Sequence, residues 1–233
     1  IISAVIIFPR SQGIASIAFL SMLLIPSLNK ILSIEEKQDS TAGKFSLKKA
    51  FRDHNDVIQV YFMLFLGIFL AYSLASIKFP NLLVTGVFDS QLRIIGVNVG
   101  QATGGLDFGS ILANNFKILI IFTVLSLVFG AGSIFFLAWN ASVWGVVFAY
   151  VTKNFDAFFL IFLKITPHMF LEVGSYFFAI IGGGILSQAV LREKFGSSKF
   201  NYVLKDGSMF LIFALILLVL GAFVEVYAYQ LWA

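Results

Sequence analysis

Residues 167–188 form an apolar run long enough to cross a bilayer, and it opens with two ionisable residues, His168 and Glu172, one helical turn apart. About 20 apolar residues span the hydrocarbon core as a helix. Lipid offers no hydrogen bonds, so a spanning segment must satisfy its backbone internally, and among single segments only a helix does that. The same run carries a small residue at every fourth position: Ser175, Ala179, Gly183 and Ser187. Such a row lets the backbone of another helix approach closely. An ionisable pair inside a bilayer is costly unless it is buried against partners. The segment therefore reads as a buried packing helix with a polar head.

The whole chain agrees with this reading. Its residues are 59% hydrophobic and 12% charged, against about 25% charged in an ordinary soluble domain. Charged and polar side chains are too few to cover a water-soluble fold of 233 residues. The net charge of +4 does not point to nucleic acid, because the basic residues gather in a few loops rather than along one face. The absence of cysteine excludes disulfides, thiolate metal sites and cysteine nucleophiles. Residues 1–9, Ile-Ile-Ser-Ala-Val-Ile-Ile-Phe-Pro, are apolar from the first position. They read as the truncated end of a first transmembrane helix, since no basic stretch precedes them and no small-residue cleavage site follows.

Apolar segments then recur at about 14–32, 57–79, 111–129, 134–152, 167–190 and 207–230. Pro26 is expected to kink the first of these. Pro167 is expected to divide the long apolar region 157–190 into a half-helix and a spanning helix. Gly130-Ala131-Gly132-Ser133 separates two further helices. The fold expected is an all-α polytopic transmembrane helical bundle of about seven crossings, the first truncated, forming a single membrane domain over 1–233. Three small-residue rows are expected to line its packing surfaces: Gly67, Ala71 and Ala75; Ala141, Gly145 and Ala149; and the row on 175–187.

Basic residues set the orientation. The 30–56 loop holds Lys30, Lys37, Lys44, Lys48, Lys49 and Arg52, and the 191–206 loop holds Arg192, Lys194, Lys199 and Lys205. The 80–109 connection holds Arg93 alone. Both basic loops are therefore expected on the cytoplasmic side of the cell membrane, with 80–109 as an extracytoplasmic loop. Within 33–56, the stretch Phe45–His54 reads as a basic amphipathic helix on the cytoplasmic membrane surface, or as a docking site for a soluble partner.

Five polar residues stand in or near apolar helices: Asn114, Asn115, Asn140, His168 and Glu172. They are expected to form a buried polar cluster, with His168 and Glu172 touching each other or Asn140 and Asn114. The sharper alternative is proton or metal chemistry at His168 and Glu172. A zinc site needs a third ligand, and the only other histidine, His54, falls in a loop of the predicted topology. The zincin helix would need a second histidine where Glu172 stands. No phosphate loop, Gly-x-Ser-x-Gly elbow or paired-carboxylate signature is present. No cofactor, metal site or catalytic residue is assigned on this basis. Glu225 is isolated in the last helix and is expected to reach the outer interface or pair within the bundle.

The order of these features resembles the stage II sporulation protein M family: Asn114-Asn115 opening a helix, the Gly130/Gly132 break, Asn140 followed by Gly145, then His168 and Glu172 before a glycine-rich helix. The resemblance covers about residues 105–192, and the segments Leu24–Lys30 and Lys49–Asp56 look like archaeal members. One departure is Met169, where the family commonly has glycine. The resemblance implies a membrane component of a wall-remodelling machine whose enzymatic activity lies in partner proteins, with no catalytic centre of its own. An archaeal relative has no equivalent bacterial wall, so that role does not transfer intact.

Three functions from different classes follow. A non-catalytic membrane scaffold or assembly component leads, with other membrane proteins, the lipid bilayer or a second copy in a homodimer as partners. A small-molecule or ion transporter or channel is the alternative. An intramembrane enzyme using His168 and Glu172 ranks last. The orientation has a direct test. Single cysteines at Ser40 and Ser197 are expected to react with an impermeant thiol reagent from one and the same side of the membrane. Reaction from opposite sides would overturn the predicted topology.

Overall fold

A computed structural model describes residues 7–8, 11–38, 51–52, 54–93, 107–154 and 158–232. It shows helices α1 (Gln12–Gln38), α2 (Asn55–Lys78), α3 (Asn81–Val87), α4 (Phe108–Phe129), α5 (Ile134–Asn154), α6 (Phe158–Arg192) and α7 (Ser198–Trp232). A 3₁₀ turn, Gly130–Ser133, links α4 to α5. No strand occurs among the described residues. The chain is an all-α polytopic bundle. Four segments are long and apolar enough to span a membrane: Asn55–Lys78, Phe108–Phe129, Thr166–Leu191 and Ser198–Tyr227. Gln12–Leu28 and Ile134–Tyr150 are shorter apolar helices. These six correspond to the six apolar segments that follow the first in the sequence. Of residues 1–9, only residues 7–8 are described.

Local chemistry explains several boundaries. Asp107 caps α4 by accepting from the Ser110 N–H at 3.2 Å, as a short acidic side chain does for an orphan amide of the first turn. Gly130 ends α4 at φ +53° and ψ −117°, a conformation costly for any residue with a Cβ. Pro167 does not end a separate half-helix. Helix α6 runs through it from Phe158 to Arg192, and the portion that spans begins at Thr166. Neighbouring helices can offset the one backbone bond that proline removes.

Small residues bring the helices together. A Cβ on Gly182 would lie 2.9 Å from the Gly207 carbonyl oxygen, and one on Gly207 2.6 Å from Leu186. One on Gly221 would lie 3.1 Å from the Glu172 side chain. These contacts run antiparallel along α6 and α7. Helices α4 and α6 lie parallel, with Gly183 against Ser126 and Thr123 and the Ser126 hydroxyl donating to the Ile180 carbonyl. On the other side α2 and α5 are parallel. Gly145 meets the Phe69 backbone, Ser73 donates to the Gly145 carbonyl at 3.1 Å, and Lys153 donates to the Phe79 carbonyl at the far end.

The rows Ala141/Gly145/Ala149 and Ser175/Ala179/Gly183/Ser187 are buried throughout. The third row departs from expectation. Gly67 and Ala71 are exposed, Ala75 is half-buried, and nothing lies within 4 Å of a Cβ built on Gly67. Spacing places small residues on one helix face, but α2 turns a different face, through Tyr61, Phe65, Ile68 and Tyr72, toward the core.

The 80–109 connection also differs from a plain loop as far as it is described. After Phe79-Pro80 the chain turns back through α3 and a further helical turn at 89–93. Phe88 and Gln91 are fully buried; Phe88 packs on Tyr72 and Phe79, and Gln91 reaches Ser142 on α5. Ser142 lies about three turns below Lys153 on that helix, so this segment dips into the bundle. Gln91 is accommodated by Gly13, where a Cβ would fall 2.2 Å from its oxygen.

The starts of α2 and α7 lie together, since His54 faces Asp206 at 3.7 Å and Phe51 packs edge-on against Phe178, Phe210 and Phe213. His54 is thus buried rather than in an open loop. Most of the expected amphipathic helix at 45–54, including 45–50, lies outside the described residues.

Gly145→Leu forces a side chain into the α2 backbone and should destabilise the protein by about 1–3 kcal/mol or more. Gly67→Leu, on an open face, should leave the unfolding temperature in detergent nearly unchanged. Equal losses from both substitutions would contradict this packing.

Candidate functional site

The polar centre of the bundle is a knot joining α4, α6 and α7. Glu172 on α6 is 7% exposed. Its Oε1 accepts from Asn115 Nδ2 of α4 at 2.5 Å. Asn115 in turn accepts from the Tyr176 hydroxyl at 3.3 Å through its Oδ1. Glu225 of α7 hydrogen-bonds Glu172 from the other side. The two carboxyls thus meet across the α6–α7 contact.

Each member is placed by local structure. Glu172 and Tyr176 are one turn apart on α6 and so share a face. Asn115 projects from the third turn of α4, on the face that continues through Leu119, Phe122 and Ser126 into the core. Gly221, one turn before Glu225, lets α7 approach close enough for the Glu172 side chain to lie against its backbone. Phe122 closes the lower side of the knot, edge-on to the Tyr176 ring at 5.2 Å. His168 is buried one turn before Glu172.

Of the five residues singled out in the sequence, the structure joins Asn115 and Glu172. Asn114 is exposed on a different side of α4, because adjacent helix positions differ by about 100°. Asn140 is half-buried and donates to the Phe136 carbonyl of its own helix at 3.3 Å. Neither belongs to the knot. Two members were not assigned to it from the sequence. Tyr176 carried no signal beyond its spacing from Glu172. Glu225 carried one, as a carboxyl inside an apolar helix that must find a partner, but nothing in the chain order pointed to Glu172.

The arrangement can hold three helices in register. Among the described residues no group of three or more His, Cys, Asp and Glu side chains could hold a metal ion.

Comparison with known proteins adds the family. The pattern of the family described as Stage II sporulation protein M matches residues 60–228. The chain belongs to this family. The match takes in both carboxyls, Asn115, Tyr176 and the helices from most of α2 to most of α7. An uncharacterized protein of the archaeon Methanocaldococcus jannaschii is 27% identical over 124 residues, covering 52% of this chain and 70% of that protein. No solved structure matches. This stage II sporulation protein M family member is thus a membrane protein with an archaeal relative.

The knot can be tested by shape-conserving substitution. Glu172→Gln retains an acceptor for Asn115 and gains a donor for Glu225, so the unfolding temperature in detergent should stay within a few degrees. Glu172→Leu leaves the buried Asn115 amide and Glu225 carboxyl without their partner, and should cost about 1–3 kcal/mol. A Gln variant as unstable as the Leu variant would show that the hydrogen-bond shape is not what holds the helices.

Proposed function

We propose that this protein is a non-catalytic scaffold that gathers other membrane proteins into a complex in the cell membrane. One observation carries the reading. The buried polar groups of three helices are turned inward and bonded to one another at Asn115, Glu172, Tyr176 and Glu225. They serve the register of a closed bundle, while α2, α4 and α7 turn broad apolar faces outward through residues such as Leu70, Ile120 and Ile216. Family membership supports a stage II sporulation protein M-like membrane protein. In this reading the chain crosses the membrane several times, with loops 30–56 and 191–206 on the cytoplasmic side.

The transport reading rests on the same carboxyl pair, because intramembrane carboxyls also mark proton relays in pumps and transporters. The two readings separate experimentally. Purification from native membranes in mild detergent should retain a discrete set of partner proteins, and Glu172→Gln should retain the same set. Reconstituted alone in vesicles, the protein should pass no more protons than empty vesicles do. Absence of any retained partner, together with proton flux abolished by Glu172→Gln, would replace the scaffold with a transporter.

A further inference from the structure

Helix α4 has 22 residues, about 33 Å of helix against a hydrocarbon core of about 30 Å. It is only just long enough to span. Lys117 is its tenth residue and so lies near the middle, about 15 Å along the axis from the Asp107 cap. It is exposed, as is Asn114 one turn earlier. Both sit on the outward face that continues through Ile121 and Val124, and no described residue bonds to either. The inward face of the same helix holds Asn115 in the polar knot. Lys117 thus faces away from both carboxyls of this bundle.

We propose that Asn114 and Lys117 mark a docking face for a transmembrane helix of a different protein, one that brings a carboxylate to the middle of the span. This rests on the scaffold reading and names the chemistry of one partner. A cation set mid-span on an apolar face is costly, and burial against an opposite charge is the usual remedy. The ammonium supplies the charge. The neighbouring amide supplies a donor and an acceptor that fix the partner's register, as amides do between membrane helices.

A second copy fits this face poorly. A symmetric pair formed through α4 sets Lys117 against Lys117. The carboxyls that this chain places in its spans at that level, Glu172 and Glu225, are bonded to each other inside the bundle. Asp89, in the segment that dips back, is already paired with Arg93 at 2.7 Å. Among the described residues no carboxylate is placed to meet Lys117, and the complementary acid is assigned to another chain.

The test is site-specific photocrosslinking of the full chain in its native membrane. p-Benzoylphenylalanine replaces Ile121, one turn from Lys117, and in a separate variant replaces Leu70 on the outward face of α2. The Ile121 probe is expected to join one other polypeptide, through a membrane-spanning peptide containing Asp or Glu. Lys117→Leu should lower that yield at least about tenfold, as loss of one member of a buried charge pair does, and Lys117→Arg should keep it. Lys117→Glu should abolish it, and changing the partner's acid to lysine should restore it.

Lys117→Leu should leave the unfolding temperature unchanged. Should it fail to accumulate, Lys117→Met and the reciprocal charge exchange carry the same expectations. An adduct with a second copy, with lipid alone, or with a segment lacking a carboxylate overturns the proposal, as does a yield indifferent to Lys117→Leu. If partners co-purify and the Leu70 probe captures them while the Ile121 probe meets only lipid, this inference fails and the scaffold stands. If nothing co-purifies, the scaffold itself fails.

Discussion

The bond from Asn115 to Glu172, with Glu225 completing it, is the interaction on which the arrangement of α4, α6 and α7 depends. In water each of these groups would find solvent, and the helices could slide past one another at little cost. In lipid a lost partner is not replaced. A bond of this kind contributes about 0.6–2 kcal/mol, modest in size but directional. The three helices can be joined through these side chains in few registers other than the observed one.

Close packing follows from that register. Once Glu172 meets α7 at Gly221, the antiparallel contact continues to Gly182 and Gly207 without a large side chain intervening. On the neighbouring flank, Gly183 lies against Ser126, whose hydroxyl bonds the Ile180 carbonyl. Helix α6 is therefore covered on several sides and is the most deeply buried of the four spans. Aromatic side chains close the end where α2 and α7 begin, with Phe51 wedged among Phe178, Phe210 and Phe213. This is also where His54 meets Asp206, so the described ends of the two basic connections lie at one end of the bundle.

The same physics explains an asymmetry between the inner and outer faces. Most polar side chains within the spans are turned into the bundle. Asn114 and Lys117 are turned out, at a level where the interior already holds its own acid pair. On the proposed docking reading, a helix of another protein meets the outer face. A scaffold is a fold in which that condition is useful.

Much of this was legible in the chain. Apolar length set the spans, since only a helix of about 20 residues satisfies its backbone across a bilayer. Gly130 marked the turn between α4 and α5, and the period of Ser175, Ala179, Gly183 and Ser187 marked a packing face, because both signals are local. The pattern of Gly67, Ala71 and Ala75 was equally periodic and yet faces outward over Gly67 and Ala71. Periodicity says which residues share a face, whereas which face is covered depends on the neighbours. Asn115 and Asn114 were indistinguishable in sequence, and a rotation of about 100° set one in the knot and the other outside. Glu225 acquired Glu172 as its partner only through the antiparallel meeting of two helices. Local chemistry determined where the helices lie and which side chains needed partners. Tertiary packing alone decided the partners, because residues far apart in the chain come within hydrogen-bonding reach only when the helices are assembled.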